Sequence, residues 1–291
     1  MATAVDQALT EAATSHFAKV TEGEELKDFS LHYQDAGEGP VVIMLHGGGP
    51  GASGWSNFER NIGPFADAGF RVLLVDQPGY AKSGEIVSGT QRGLLNARAV
   101  KGLMDALEID KAHLVGNSMG GATSLNMAVE YPERVDSLVL MAPGGVGPSI
   151  LQPNPQEGIK YVHRLVADPT PENMDLMLDA LMYDASVVTP ELRAHRLAAI
   201  TDHPQHIANL GESLRRAPIS ALDIRSRLGE VQAKTLVVWG RDDRFVPLDH
   251  GLLLVASLPD ADLHVFQRCG HSAQWEQAEK FNRLVIQFLQ S

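Results

Sequence analysis

Short apolar runs, each the length of a strand, alternate with helical patterns along most of this chain, and that alternation narrows the possible folds more than any other feature. The runs are Val41–Leu45, Arg71–Val75, Ala112–Val115, Leu138–Met141, Thr235–Trp239 and Asp262–Phe266. Most are β-branched or almost continuously apolar, the pattern of parallel strands covered on both faces. Helical periodicity separates many of them, over Gly93–Leu107, Ala122–Tyr131, Leu252–Leu258 and Ala278–Leu289. Strand–helix alternation predicts an α/β sheet joined by right-handed crossovers. The segment Phe17–Ala36 reads instead as an antiparallel hairpin leading into the sheet.

The alternation stops between Pro148 and Arg227. Prolines stand there at 148, 153, 155, 169, 171, 190, 204 and 218. Helical patterns lie between them, over Glu157–Val166, Glu172–Tyr183, Glu191–Thr201 and Gln205–Arg216. Proline fits the first turn of a helix and disrupts its middle, so the spacing predicts four short helices. A helical cap inserted into the α/β core is the favoured reading. The alternative is a set of extra helices packed rigidly on the sheet.

Composition removes several classes of function. The chain has 291 residues with 24 Lys+Arg against 36 Asp+Glu, a formal net charge of −12. An acidic chain with no basic block is a poor match for nucleic acid or an anionic membrane. No apolar run approaches the roughly 18 residues of a membrane-spanning helix. One cysteine excludes an intrachain disulfide framework and any multi-cysteine metal site. The N-terminal stretch lacks the basic and apolar regions of a secretory signal, so a cytosolic protein is expected.

The sharpest motif is Gly116-Asn117-Ser118-Met119-Gly120, which follows a predicted strand and opens a helical pattern. This is G-x-S-x-G in the strand–turn–helix setting that makes it meaningful. Such a turn strains Ser118 and leaves its hydroxyl free at the end of the strand. A serine in an ordinary β–α turn is the plainer reading. Earlier, His46-Gly47-Gly48-Gly49-Pro50-Gly51 follows the first parallel strand. It lacks the Lys-Ser/Thr ending of a phosphate loop and the dinucleotide-binding pattern. It matches the loop that contributes one N–H of an oxyanion hole, the second coming from Met119. Each such donor can lower a barrier by about 3 kcal/mol. His46 itself reads as a residue that holds the loop.

A carboxylate is expected after a late strand, and Trp239-Gly240-Arg241-Asp242-Asp243-Arg244 supplies two. Spacing after the glycine favours Asp243, with Asp242 and Asp76 as competitors. Of the eleven histidines, His271 alone stands past the last strand and before the final helix. The order Ser118, Asp243, His271 is that of α/β-hydrolases. His271 would take the Ser118 proton, and Asp243 would hold its tautomer. Other residues have plainer readings. Cys269 is expected to be a buried, inert thiol. His203 and His206 lack a third ligand for a metal. Arg215 and Arg216 are expected to face solvent, and Met174, Met177 and Met182 to pack inside the cap.

These strings, together with Trp55-Ser56-Asn57, Asp76-Gln77-Pro78-Gly79-Tyr80, Met141-Ala142-Pro143-Gly144-Gly145 and Leu263-His264-Val265-Phe266, resemble the meta-cleavage product hydrolases. The likeness runs from about Phe17 to Leu289 and is strongest toward members acting in biphenyl degradation. It implies cleavage of a carbon–carbon bond in 2-hydroxy-6-oxohexa-2,4-dienoates, giving 2-hydroxypenta-2,4-dienoate and a carboxylic acid. It implies no metal or organic cofactor. By position, Gly48 and Met119 would form the oxyanion hole. Asn57, Asn117 and Arg196 would hold the dienoate carboxylate and 2-oxo group, with Gly49, Leu181, Phe245 and Ser272 completing the substrate site. An acidic protein that binds an anion needs a local cation, and Arg196 fits that need. A solvent-exposed cap arginine is the plainer reading. The chain departs from the family at Ser272, where members carry Trp, and at Leu181 and Leu197, which stand for larger aromatics. These changes should widen or reshape the acyl pocket.

The resulting expectation is an α/β-hydrolase fold. Its mostly parallel eight-stranded sheet has helices on both faces. Residues 1–147 and 228–291 form the core and residues 148–227 the helical cap. The expected partners are a small-molecule dienoate and further copies of the chain in a homo-oligomer. Two alternatives use the same residues: an esterase or lactonase, and a ligand receptor on a hydrolase fold.

Overall fold

Alternate residues of the central strands face opposite sides of the sheet, and both sides are apolar. In β3 (Val41–Leu45) and β4 (Arg71–Val75), Ile43, Leu45, Leu73 and Val75 join one hydrophobic core. Val42, Met44, Val72 and Leu74 join another on the far face. The computed structural model describes residues 9–149, 151–152, 155–217 and 223–291. Pro153, Pro218 and the first eight residues of the N-terminal stretch lie outside the described residues.

The remaining strands are β1 (Ser15–Val20), β2 (Phe29–Ala36), β5 (Ala112–Asn117), β6 (Val135–Met141), β7 (Lys234–Gly240) and β8 (Ala261–Phe266). The eight strands of the described residues run in the order β1-β2-β4-β3-β5-β6-β7-β8. β2 pairs antiparallel with β1 and β4, and the other neighbours are parallel. The expected hairpin and mostly parallel sheet are therefore present. Helices α2 (Arg92–Ala106), α3 (Met119–Glu130) and α8 (Asp249–Ser257) cover one face through Leu95, Leu103, Leu125 and Leu254. On the other face lie α1 (Gly54–Asp67) and α10 (Ala278–Leu289), through Phe58, Ile62, Phe65, Phe281 and Val285. Each such side chain contributes roughly 1.5–3 kcal/mol when fully buried. The short α9 (Ala273–Glu276) precedes α10.

Helix α1 is absent from the sequence-based expectations. Gly54, Gly63 and Pro64 interrupt its pattern, but a capping box between Ser53 and Ser56 starts it. Pro64 cannot donate to Arg60 O, four residues back, and Asn282 Nδ2 donates to that carbonyl at 3.0 Å instead. Among the described residues no helix is long and apolar enough to cross a membrane.

Between β6 and β7 the chain forms α4 (Glu157–Ala167), α5 (Pro171–Leu181), α6 (Pro190–Thr201) and α7 (Pro204–Arg216). Pro171, Pro190 and Pro204 open their helices, as the proline spacing predicts. Thr170 and Thr189 cap α5 and α6 by accepting from Asn173 N and Leu192 N. The four helices share a core of their own. Leu165, Met174, Met177, Leu178 and Ile200 meet Phe245 and Trp275 from the sheet domain there.

Candidate active site

Ser118 joins β5 to α3 with φ 53° and ψ −112°, a conformation costly for a residue with a side chain. The sheet holds it there: Ser118 N donates to Met141 O at 2.8 Å. The flanking glycines are required by crowding. A Cβ at Gly116 would lie 2.3 Å from Gly120 O, and one at Gly120 would lie 2.0 Å from Leu45 O. Met119 is the first residue of α3, so its N–H has no acceptor within the helix.

The loop after β3 is braced from several sides. His46 Nδ1 donates to Gly47 O at 2.8 Å, and Nε2 accepts from Gln77 N at 2.9 Å. That pair of bonds defines a neutral imidazole, and burial lowers its pKa to about 4. The structural reading of His46 therefore agrees with its surroundings. Asn57 Oδ1 accepts from Gly47 N at 3.4 Å, and Tyr80 OH donates to Gly48 O at 3.0 Å. Asp76, one of the three carboxylates considered, is bonded to His32 Nδ1 at 2.7 Å and to Gly54 N at 2.7 Å. It anchors α1 and does not meet His271.

Asp243 does meet it. Its Oδ2 lies 2.7 Å from His271 Nδ1, while Oδ1 accepts from Phe245 N at 2.7 Å and Val246 N at 3.0 Å. Asp242 faces Arg241. The imidazole is stacked on Phe245 with centroids 5.0 Å apart, and Asn117 Nδ2 donates to His271 O at 3.1 Å. Ser118 and His271 border the same cavity. Among the described residues no hydrogen bond joins Ser118 Oγ to His271. Such bonds are often long until substrate binds.

The cavity has a volume of about 540 Å³. Gly48, Gly49, Asn57, Asn117, Met119, Leu181, Arg196, Phe245 and Ser272 all border it, with Asp243 behind the imidazole. Leu197 corrects one expectation. It is not on the cavity wall but packs on the insertion's own core, so its size has no direct effect on the pocket. Met177 and Met182 both pack in that core and border the cavity.

Arg196 projects from α6 and is 5 % exposed, against the plainer reading of a solvent-facing residue. Burial lowers its guanidinium to about 10. Its Nε has no partner, and among the described residues no carboxylate pairs with it. A charge that has lost water and gained no counter-ion is electrostatically uncompensated. Arg92 is a second buried cation on this wall, which sequence reasoning missed. Its Nη2 donates to Pro78 O at 2.8 Å, and its Nε and Nη1 have no partner.

The insertion is tied to the histidine loop. His271 N donates to Leu181 O at 2.7 Å. Glu276 accepts from Gly270 N at 2.7 Å and from Tyr183 N and Asp184 N at 2.9 Å. Cys269 is fully buried, and burial pushes its thiol above the usual range, as expected of an inert thiol. His203 and His206 stack on each other, and among the described residues no cluster could hold a metal ion. Arg215 and Arg216 are exposed and pair with Glu212.

Comparison with known proteins places this geometry. Residues 40–278 match the model of the alpha/beta hydrolase fold family. Over 281 residues the chain is 60 % identical to a 2-hydroxy-6-oxo-6-phenylhexa-2,4-dienoate hydrolase of Comamonas testosteroni, covering 97 % of this chain and 98 % of the relative. It is 57 % identical, with the same coverage, to a 2-hydroxy-6-oxononadienedioate/2-hydroxy-6-oxononatrienedioate hydrolase of that organism. A solved meta-cleavage product hydrolase from Pseudomonas fluorescens IP01 superposes with a TM-score of 0.81 at 34 % identity, covering 94 % of this chain and 98 % of that one.

Proposed function

This chain belongs to the α/β-hydrolase family and, within it, to the meta-cleavage product hydrolases, and from that membership we propose how its own residues cleave a dienoate. The substrate is a 2-hydroxy-6-oxohexa-2,4-dienoate with a variable group on C6, and the bond broken is C5–C6. One observation carries the assignment of residues. His271, oriented by Asp243, borders the same cavity as the strained Ser118 and the unpaired Arg196.

Arg196 holds the C1 carboxylate, with Asn57 and Asn117 beside it. His271 accepts the 2-hydroxyl proton and returns it at C5, so the dienol becomes a 2,6-dioxohex-3-enoate. Asp243 accepts from Nδ1, which leaves Nε2 free for this transfer and for the next. Ser118 Oγ then adds to C6 as its proton passes to His271. The negative charge on the C6 oxygen is taken by the N–H groups of Gly48 and Met119, each worth about 3 kcal/mol. Collapse breaks C5–C6. The electron pair moves through C4 and C3 onto the 2-oxo oxygen, and protonation there gives 2-hydroxypenta-2,4-dienoate. The acyl group remains as an ester of Ser118. Water, deprotonated by His271, releases it as a carboxylic acid and restores the enzyme.

Helices α4–α7 act as a cap over residues 1–147 and 228–291, with the cap spanning 148–227. Arg196 of α6 and Leu181 of α5 both border the cavity, which supports that division. The test is Ser118→Ala assayed on coloured ring-cleavage dienoates by loss of visible absorbance. The variant should fold, bind the dienoate and lose at least about a thousandfold in turnover, the scale of a lost triad member. Near-normal hydrolysis by this variant would overturn the serine assignment.

A further inference from the structure

Of the two N–H groups assigned to the oxyanion hole, one is fixed by a helix and the other is not. Met119 opens α3, so the helix sets the direction of its N–H. Gly48 lies in the irregular loop after β3, and glycine has more backbone freedom than any other residue. Crowding favours glycine there: a Cβ would lie 3.2 Å from Met119 Sδ and 3.3 Å from Met119 Cβ. A donor that can turn away loses the preorganisation on which an oxyanion hole depends.

Two hydrogen bonds remove that freedom, one on each side of Gly48. The carbonyl and N–H of a trans peptide point in opposite directions. His46 Nδ1 donates to Gly47 O at 2.8 Å, so the N–H of the same peptide unit, that of Gly48, is turned away from His46. Among the described residues Gly48 N donates to no acceptor, which leaves it for a ligand. Tyr80 OH donates to Gly48 O at 3.0 Å and holds the next peptide unit. With both units held, the backbone of Gly48 is set between them.

Tyr80 is itself fixed from several sides. Its N–H donates to Gln77 O at 3.0 Å, and its carbonyl accepts from Ser83 N at 3.0 Å. Its ring meets the His46 imidazole edge-on with centroids 5.1 Å apart. Arg92 lies over the ring at 5.5 Å, within range of cation–π attraction, and is anchored by its bond to Pro78 O at 2.8 Å. Tyr80 borders the cavity yet is only 5 % exposed. Burial raises the pKa of its phenol, so the hydroxyl keeps the proton it donates. A phenylalanine ring would fill the same space, and what the hydroxyl adds is the bond to Gly48 O.

Resting on the acyl-transfer mechanism above, we propose that Tyr80 is a positioning residue for the oxyanion hole: by holding Gly48 O, it keeps the Gly48 N–H aimed at the C6 oxygen once Ser118 has added. The bond matters most in the tetrahedral intermediate, where that oxygen carries a full negative charge. It matters least in the bound dienoate, where the oxygen is a carbonyl. An interaction stronger in the transition state than in the ground state appears in kcat and not in KM.

Tyr80→Phe removes the hydroxyl and keeps the ring. On a 6-phenyl-substituted dienoate its kcat should fall about tenfold, the scale of one hydrogen bond felt in the transition state, with little change in KM. Phenylboronic acid, which forms a tetrahedral anion on Ser118 Oγ, should bind the variant more weakly by a similar factor. In the Ser118→Ala background, Tyr80→Phe should leave the Kd of the dienoate unchanged. Thermal unfolding is read alongside. Unchanged kcat and boronate affinity overturn the proposal and leave Tyr80 a packing residue, whatever happens to Tm. A kcat loss matched by an equal loss of dienoate binding in the Ser118→Ala background also overturns it, since that marks a damaged pocket. If the parent chain cleaves no dienoate but hydrolyses p-nitrophenyl acetate, the dienoate reading fails, and the boronate measurement still decides the role of Tyr80.

Discussion

His271 Nδ1 lies 2.7 Å from Asp243 Oδ2, while the adjacent Asp242 turns its carboxylate to Arg241. Two neighbouring carboxylates thus have separate environments, one buried against the histidine and one half-buried beside its arginine. Asp243→Asn should lower kcat on a dienoate about ten-thousandfold, because an amide favours the wrong histidine tautomer. Asp242→Asn should be mild. Steady-state kinetics on both variants decide the matter, and the reverse ranking would give the acid's role to Asp242.

Among the described residues Arg196 has no anionic partner, so its removal should be felt through the substrate. Arg196→Ala should impair dienoates far more than neutral esters, by about 2–5 kcal/mol in transition-state binding. The measurement is the ratio of kcat/KM on the two substrate types. Equal losses on both would make Arg196 a structural residue of α6.

Much of this arrangement can be read without coordinates, for reasons that differ by element. The parallel strands declare themselves because both of their faces are covered, which leaves near-continuous apolar runs such as Val41–Leu45. The insertion declares itself through prolines 171, 190 and 204, each at the start of a helix. Helix α1 does not, because the device that rescues Pro64 is Asn282, more than two hundred residues away. Spacing after Gly240 already favours Asp243 over Asp242, and the coordinates add that Asp243 is the one bonded to His271. Arg92 and Glu276 carry no local signal at all. Their roles arise from Tyr80 and Pro78 in one case, and from Gly270, Tyr183 and Asp184 in the other.

His46 makes a pH prediction. Its imidazole has a pKa of about 4 in the folded chain, with burial as the main cause, against about 6.5 when unfolded. Below that unfolded value the denatured chain binds a proton that folded His46 refuses. The stabilisation is therefore complete above about pH 6.5 and is lost as pH falls toward 4, on the order of 3 kcal/mol in all. His46→Gln keeps a donor for Gly47 O and an acceptor for Gln77 N but does not titrate. Urea midpoints between pH 7 and 4.5 should fall less steeply for this variant than for the parent. Other buried groups, such as His113 and Asp76, are common to both proteins. Parallel slopes would remove His46 from the acid response.

Ser272 offers the most direct control over what the cavity admits. It follows His271, is 6 % exposed and borders the cavity, so a larger side chain there would occupy space that substrate uses. Tryptophan, which the resemblance leads one to expect at this place, can bury 150–250 Å². Leu181, whose carbonyl accepts from His271 N at 2.7 Å, borders the cavity and is also small, while Leu197 lies outside it. Ser272→Trp should therefore narrow the range of acyl groups. Dienoates with a bulky C6 substituent should lose about tenfold or more in kcat/KM relative to methyl-substituted ones, since even one methylene can decide a factor of 10–200 in a pocket. Thermal unfolding of the variant, run alongside, separates a filled pocket from a damaged fold. If the variant is as stable as the parent and its preference among C6 substituents is unchanged, the volume at Ser272 does not set the acyl selectivity.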